Sequence, residues 1–188
     1  MSTHIVILAA GSSSRMGTPK QLIDWHGTPL LRHLANQALA TRSGVSIILG
    51  ANAELIRPAL SELPVQVLDN PEWPEGMSSS IRLAVKHTDA DDLLILVCDQ
   101  PHVTTATLRA LMDARLTGGK LIVASAYANT LGVPALFDRS LFGELGELNG
   151  QQGAKAVIQR HRDEVLGVPF AEGAVDLDTP DDVRRSSM

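Results

Sequence analysis

The stretch "HIVILAAGSSSRMGTPK", His4 to Lys20, joins two patterns end to end. Its first part, His4 to Ala10, is a continuous apolar run rich in β-branched residues, which is typical of a strand buried on both faces of a sheet. The second part, called the first loop here (Gly11 to Lys20), contains three serines, a second glycine and the cations Arg15 and Lys20. A buried strand that leads directly into such a loop predicts a ligand-binding turn at the edge of an α/β sheet.

The rest of the chain alternates strand-like and helix-like segments. Further strands are predicted at Val45 to Gly50, Val65 to Leu68, Asp92 to Asp99 and Lys120 to Ala126. Helical spacing of apolar residues follows most of them, as in Leu30, Leu31, Leu34, Ala38 and Leu39, where Thr28 and Pro29 resemble an N-cap and first helical residue. Parallel neighbours need crossover connections that usually carry helices, so the pattern predicts a three-layer α/β fold with a mostly parallel sheet.

Composition narrows the class of protein further. The 188 residues suit one domain, 1–188, and the 44% hydrophobic content favours a substantial core. The net charge is -5 and the cations are scattered, so neither a nucleic acid nor an anionic membrane is an expected partner. One cysteine, Cys98, excludes an internal disulfide, and the apolar runs are strand-sized. With no signal-peptide pattern at the N-terminus, the sequence favours a cytoplasmic enzyme that acts on small molecules.

The first loop has the chemistry of a triphosphate site. Gly11 permits close backbone approach, and Ser12, Ser13 and Ser14 offer hydroxyls and accessible amides for an anion. Arg15 supplies a planar fork and Lys20 a point charge, which suit the charge that grows on a departing pyrophosphate. The glycine spacing matches neither a Walker A loop nor a G-x-G-x-x-G dinucleotide loop. The alternative is a flexible surface loop with incidental charges.

A second loop, "VCDQP", follows the other strongly apolar strand. Asp99 would lie at the tip of that strand, where a carboxylate can hold Mg²⁺, an ion that needs only one or two protein carboxylates beside substrate phosphates. In the alternative interpretation Asp99 caps the turn before Pro101. Cys98 is expected in the core rather than as a nucleophile, and His102 is expected to be solvated.

A third acidic segment, "VDLDTPDD", lies near the C-terminus. Asp176 and Asp178 alternate on what reads as an extended strand, which would point both side chains the same way. Asp178 is the candidate second metal ligand, while the acids after Thr179 suit the first turn of a helix. Nothing in the sequence alone shows whether Asp178 reaches Asp99.

Six motifs, in this order, resemble those of the MobA-like nucleotidyltransferases, and most closely the molybdenum cofactor cytidylyltransferases. They are "LAAGSSSRMGTPK", "NPEWPEGMSSSI", "CDQPHV", "GVPALF", "LNGQQGAK" and "DLDTPDD", and the resemblance runs from Ile5 to about Val183. It implies a Rossmann-like nucleotidyltransferase fold. It also implies Mg²⁺-dependent transfer of a nucleotidyl group from a nucleoside triphosphate to a phosphate acceptor, with release of pyrophosphate.

The resemblance also assigns roles to residues. The implied catalytic residues are Arg15, Lys20 and Asp99, and the implied metal ligands are Asp99 and Asp178. Trp73 is expected to pack its loop rather than to stack on the base. The implied nucleotide-binding residues are Leu8, Ala9, Ala10, Gly11, Ser12, Ser13, Arg15, Lys20, Gly76, Ser79 and Ser80.

The "CDQP" and "GMSSS" segments resemble the cytidylyltransferases more than the guanylyltransferases. The resemblance therefore favours CTP as donor, molybdopterin as acceptor and a molybdoenzyme as recipient of the product. Cofactor-handling relatives often have histidine where this chain has Val133, and aspartate in the segment where it has Gln151 and Gln152, which puts the acceptor in question. A GTP-dependent enzyme, a sugar-phosphate nucleotidyltransferase and a cofactor chaperone without turnover are the alternatives.

Overall fold

The computed structural model describes residues 1–14 and 16–186. Its strands are β1 (Thr3–Ala9), β2 (Asp24–Trp25), β3 (Thr28–Pro29), β4 (Gly44–Leu49), β5 (Gln66–Asp69), β6 (Asp92–Val97), β7 (Ile122–Tyr127), β8 (Thr130–Asp138) and β9 (Val165–Pro169). Its α-helices are α1 (Leu30–Leu39), α2 (Ala53–Ile56), α3 (Met77–Lys86), α4 (Thr105–Gly118), α5 (Phe142–Gly146), α6 (Lys155–Arg160) and α7 (Pro180–Ser186). No helix in these described ranges is both long and apolar enough to cross a membrane.

Seven strands form one sheet in the order β5-β4-β1-β6-β8-β7-β9. Strand β1 is parallel to β4 and β6, and the pairs β4–β5 and β7–β9 are also parallel. Strand β8 runs antiparallel to both of its neighbours, β6 and β7. The predicted α/β fold with a mostly parallel sheet is therefore confirmed, with a single antiparallel strand inside it.

Strand β1 shows why its sequence is apolar throughout. Ile5, Ile7 and Ala9 pack into the core that α1 and α4 cover, whereas Val6 and Leu8 face the core on the side of α3, α5 and α6. Alternate residues of a strand point to opposite faces, so a strand covered by helices on both sides needs apolar residues at every position. Central strands buried in this way hold the loops at their carboxyl ends in place.

The start of α1 differs from the prediction. Thr28 and Pro29 form β3, which pairs with β2, and the helix begins at Leu30 with Pro29 as a cap that makes no side-chain hydrogen bond. His26 and Gly27 have φ values of 54° and 80°, the positive pair that a tight hairpin turn requires. The hairpin thus takes up the residues that the sequence pattern placed at the helix start.

The C-terminal part holds the other differences. Strands β8 and β9 were not expected, and the predicted boundaries of the other sheet strands differ by a residue or two from those observed. The predicted extended strand at Asp176 and Asp178 is wrong, because this segment lies outside any strand. It follows a 3₁₀ turn, Ala171–Ala174, and is anchored by the fully buried side chain of Leu177.

Candidate active site

A cavity of about 310 Å³ lies at the carboxyl ends of β1 and β6. In open α/β sheets, ligands usually bind in a crevice at the carboxyl ends of two neighbouring strands. The chain leaves these two strands in opposite directions along the sheet. Here the chain passes from β1 to β4 on one side and only later to β6 on the other. The cavity is lined by Leu8, Ala9, Ala10, Gly11, Ser12, Lys20, Gln21, Trp73, Pro74, Gly76, Met77, Ser80, Val97, Cys98, Asp99 and Gln151.

A buried glutamine holds the first loop against β1. Gln21 is 1% exposed, and its Nε2 donates to the carbonyl oxygens of Ala9 (2.8 Å) and Gly11 (3.2 Å). Ser13, with a φ of 54°, accepts a hydrogen bond from the Lys20 amide through its Oγ at 3.0 Å. The two ends of the loop are therefore tied to each other by side-chain bonds to backbone groups.

The centre of the site is a lysine between two carboxylates. Lys20 Nζ donates to Asp99 Oδ2 and to Asp178 Oδ1, each at 3.0 Å. Asp99 is carried by the turn after β6, and Asp178 is brought beside it because the Leu177 amide donates to the Asp99 carbonyl at 2.9 Å. The sequence predicted all three residues, and the structure brings them together.

The charges at this centre shift proton affinities in two directions. Burial alone would lower the pKa of Lys20, but its attraction to and hydrogen bonds with Asp99 and Asp178 outweigh burial, so the pKa is raised. Burial of its carboxyl group raises the pKa of Asp176 to about 6, although the residue as a whole is solvent-exposed, and the charges of Asp99 and Asp178 add to the shift. Lys20 is consequently an ammonium ion at neutral pH.

The donor set suits Mg²⁺ better than a metal held by protein alone. Asp99 and Asp178 offer two carboxylates converging on one point, which is the usual protein share for Mg²⁺ when substrate phosphates and water complete its octahedron. Across the described ranges, no cluster of three or more histidine, cysteine or acidic side chains has metal-site geometry. The residues present therefore fit a magnesium ion that arrives with a phosphate ligand.

The opposite wall of the cavity is the segment that leads into α3. Asn70, at the end of β5, is buried and donates through Nδ2 to the hydroxyls of Ser79 (2.8 Å) and Ser80 (3.0 Å). Ser79 in turn donates to the Gly76 carbonyl at 2.8 Å. Trp73 lines the cavity and packs closely against Gly50. A Cβ atom added to Gly50 would lie only 2.6 Å from the Cβ of Trp73.

A distant segment, Leu148 to Gly153, docks onto this wall and is called the docked loop below. The Gly150 carbonyl accepts hydrogen bonds from the amide (3.3 Å) and hydroxyl (2.8 Å) of Ser78. Gly76 has a φ of 126°, and a Cβ there would overlap the Gly150 carbonyl oxygen. Arg82 donates to the Leu148 carbonyl at 2.9 Å and to the Glu75 carboxylate. The docking thus depends on a glycine, a serine and an arginine of the α3 region.

Most of the predicted nucleotide-binding residues line the cavity. Ser13 and Ser79 instead make hydrogen bonds that support the walls, and Asp178 contacts Lys20. Arg15 lies outside the described residues. Those that line the cavity are Leu8, Ala9, Ala10, Gly11, Ser12, Lys20, Gly76 and Ser80, and the predicted metal ligand Asp99 lines it as well.

Cys98 and His102 also lie at this edge of the sheet. Cys98 is 4% exposed and burial raises the pKa of its thiol, so it is a core residue, as expected, and not a nucleophile. His102 makes an edge-to-face contact with Trp25, their ring centroids 5.4 Å apart. That histidine therefore packs on a hairpin beside the site instead of being merely solvated.

The sequence reasoning missed the residues that support the site. Gln21, Asn70 and Arg82 make the hydrogen bonds described above, yet none belongs to a charged or glycine-rich cluster. The sequence around these residues gave only a weak indication of a supporting role. Asn70 follows a strand and precedes a proline, and Gln21 lies between a predicted functional lysine and an apolar residue. Supporting side chains of this kind are identified by their partners, which only the fold shows.

The fold and this edge of the sheet define an α/β protein with a cavity between two loops, beside which a lysine contacts two carboxylates. Residues 5–165 match the MobA-like NTP transferase domain, and the chain belongs to that family. The family is one of metal-dependent nucleotidyltransferases.

The relatives that this chain resembles in sequence have names that describe different activities. The chain is 37% identical over 58% of its length to the probable molybdenum cofactor guanylyltransferase of Synechococcus elongatus, and spans only 57% of that protein. It is 31% identical to nicotine blue oxidoreductase of Paenarthrobacter nicotinovorans, covering 82% of this chain and 80% of that one. It is 24% identical to the molybdenum cofactor cytidylyltransferase of Escherichia coli K12, covering 94% and 91%.

Among solved structures, the fold is similar to that of Rv0371c from Mycobacterium tuberculosis H37Rv in complex with manganese. The TM-score is 0.82 at 30% sequence identity, and the alignment covers 98% of this chain and 97% of that one. A structure that aligns with nearly the whole of this chain was thus solved in complex with manganese. These comparisons establish the family and leave donor nucleotide and acceptor open.

Proposed function

We propose that this protein transfers a cytidylyl group from CTP to a phosphate acceptor, with molybdopterin as the favoured acceptor and pyrophosphate as the product released. The observation that carries the proposal is the contact of Lys20 with both Asp99 and Asp178 at 3.0 Å, directly beside the cavity. A cation for phosphates and two carboxylates for Mg²⁺ are the parts that nucleotidyl transfer needs. The near full-length similarity to a cytidylyltransferase supports the choice of CTP.

In this proposal the nucleotide lies between the first loop and the α3 wall. Backbone groups of Leu8 to Ser12, with Gly76 and Ser80, face its base and sugar, while Arg15 and Lys20 bind the triphosphate. Asp99 and Asp178 would hold Mg²⁺, which would supply charge neutralisation at the phosphates when bound. Lys20 must then turn its ammonium group from these carboxylates towards the phosphate oxygens.

The chemistry needs no protein nucleophile. The acceptor phosphate attacks the α-phosphorus in line, and the bond to the leaving pyrophosphate breaks. Lys20 donates hydrogen bonds to the leaving group as its negative charge grows, and the residues on the two sides of the cavity keep both reactants aligned. Burial raises the pKa of the Cys98 thiol, so Cys98 stays protonated at neutral pH. Because only a thiolate is an effective nucleophile, Cys98 does not compete with the acceptor phosphate.

The acceptor is the less constrained half of the proposal. Cofactor-handling relatives often have a histidine where this chain has Val133, within β8, and an aspartate in the segment where it has Gln151 and Gln152. Loss of the imidazole and the carboxylate removes charged and hydrogen-bonding groups that such relatives can offer to a second substrate. A molybdoenzyme that accepts the finished dinucleotide is the partner that molybdopterin would imply.

The test is a pyrophosphate-release assay with Mg²⁺, using CTP or GTP, each alone, with molybdopterin and with a sugar phosphate. We expect release only with CTP and molybdopterin together, and its loss in the Asp99→Asn variant. Release with GTP would make the enzyme a guanylyltransferase, and release only with a sugar phosphate would replace the acceptor. Binding of CTP with no release under any condition would favour a chaperone. Turnover of nicotine blue would instead align the protein with its oxidoreductase relative.

A further inference from the structure

Gln151 holds an unusual position among the residues of the cavity. Of the described residues that line it, Gln151 alone comes from beyond Asp99 in the sequence. Its side chain lies against Gly76, since a Cβ on Gly76 would be 3.0 Å from Gln151 Cδ. The docked loop therefore contributes one polar side chain to a cavity whose other described lining residues lie between Leu8 and Asp99 in the sequence.

The backbone beside Gln151 is held firmly. The preceding residue, Gly150, accepts two hydrogen bonds from Ser78, and Arg82 binds the Leu148 carbonyl two residues further back. Gly153 lies close to the sulfur atom of Met77. A Cβ atom added to Gly153 would be 2.8 Å from that sulfur. A side chain that projects from so well anchored a segment can make a directional contact with a ligand.

The side chain of Gln151 is solvent-exposed, and its amide group makes no hydrogen bond within the described part of the chain. Its neighbour Gln152 differs, because Gln152 Oε1 accepts a hydrogen bond from the Asn149 amide at 3.1 Å and so closes the loop on itself. A free amide offers two N–H donors and one acceptor, the combination that pairs with the polar edge of a nucleobase.

The location favours the nucleoside over the phosphates. Lys20 and Asp99, whose Nζ and Oδ2 atoms lie 3.0 Å apart, mark the proposed phosphate and metal end, and Gln151 makes no hydrogen bond to either of them. A cavity of about 310 Å³ is at the small end of the range for ligand pockets, which favours one bound substrate over two.

We propose that Gln151 binds the nucleoside part of the triphosphate and contributes to the choice of base, and that it does not bind the acceptor. The proposal rests on the proposed binding of a nucleoside triphosphate in this cavity. It assigns the docked loop to recognition of the donor. The second substrate then approaches from outside the cavity, at the rim of the sheet.

The experiment compares two ligands by calorimetry with the full chain and Mg²⁺: CTP and inorganic tripolyphosphate, which has the phosphates without the nucleoside. For Gln151→Ala we expect CTP to bind about three- to tenfold more weakly and tripolyphosphate to bind unchanged, as one or two lost hydrogen bonds predict. For Lys20→Met we expect both ligands to weaken. For Gln152→Ala, which alters the same loop without removing the cavity-lining amide, we expect neither to weaken by more than about twofold.

Four outcomes would overturn the proposal. They are unchanged CTP affinity in Gln151→Ala, an equal loss for tripolyphosphate, the same loss in Gln152→Ala, or a change confined to the KM of the acceptor. Wild-type protein that binds neither CTP nor GTP would refute the proposed function as well. Wild-type protein that binds CTP tightly without transferring it would refute only the proposed function.

Discussion

The two walls of the cavity are built in different ways. The first loop is held by its near neighbours: Gln21 bonds back to Ala9 and Gly11, and Ser13 bonds to the amide of Lys20. The docked loop is held by residues about 70 positions earlier in the chain, through Ser78 and Arg82. The first loop is thus held by short-range bonds, whereas the docked loop that faces it depends on the completed fold.

This difference predicts which changes should affect catalysis and which should affect assembly. Removing charge from the first loop should lower turnover with little effect on the fold. Disturbing the docking should first lower stability and nucleotide binding. The four predictions below test this division, in order of decreasing expected effect.

The largest effect is expected for Lys20→Met, which keeps the length of the side chain and removes its charge. We expect kcat to fall by about 10²-fold or more, because the contact with the leaving pyrophosphate strengthens in the transition state. Initial rates of pyrophosphate release measure this. Lys20→Arg should lose less, since it retains the charge in a different shape. Turnover above half of the wild-type rate in Lys20→Met would remove this lysine from catalysis.

The next effect concerns Gly76. In Gly76→Ala the new Cβ would overlap the Gly150 carbonyl, and alanine would be strained at a φ of 126°. We expect a loss of about 2 to 3 kcal/mol in unfolding free energy, or roughly 5 to 10 °C in Tm. Thermal unfolding followed by circular dichroism measures it. Gly143→Ala is the matched control, as a Cβ there meets nothing within 4 Å, and an equal loss in both variants would contradict the docking argument.

A smaller effect is expected for Gln21→Leu, which leaves the Ala9 and Gly11 carbonyls without their donor. The unfolding free energy should fall by about 1 to 2 kcal/mol and the KM for the triphosphate should rise. Gln37→Leu is the comparison, because Gln37 also serves as a hydrogen-bonding strut, accepting from the Thr105 amide at 2.8 Å, but away from the cavity. A rise in KM in both variants would show that the effect is one of general stability.

The smallest effect is expected for Ser78→Ala. The Gly150 carbonyl loses the hydroxyl donor at 2.8 Å but keeps the amide donor at 3.3 Å, so the docking should weaken without failing. We expect a loss of about 1 kcal/mol or less, roughly 2 to 4 °C in Tm. Unfolding together with CTP titration measures both effects. A loss as large as that of Gly76→Ala would mean that the hydroxyl, and not the backbone fit, holds the loop.

The charged centre of the site could largely be predicted from sequence. Asp99 lies just beyond one apolar strand and Lys20 ends the loop that follows another, and strand ends in α/β sheets are where ligands bind. The contact of Asp178 with Lys20 could not be predicted, because it depends on the Leu177 amide reaching the Asp99 carbonyl across 78 positions of sequence. Local patterns place a residue on a loop and do not choose its partner.

The same limit explains the errors in the fold. The alternation of apolar runs gave the strands β1 and β6, whose residues are buried on both faces. Strands β8 and β9 were missed because glycine and proline interrupt both, as in "TLGVPALFD" and "VLGVP". At Thr28 the turn chemistry of the preceding hairpin prevailed over the helix-start pattern.

The reversed direction of β8 has a practical consequence for anyone searching such sheets for functional positions. Since β8 runs against β6, its opening residues reach the rim where β6 finishes. The Ala128 to Asn129 turn, which precedes β8, and Val133, in the first half of β8, therefore lie towards the same edge of the sheet as Asp99, which follows β6. For β8, the residues that follow the strand lie at the edge of the sheet opposite to Asp99, and a search limited to residues after each strand would miss those near the site.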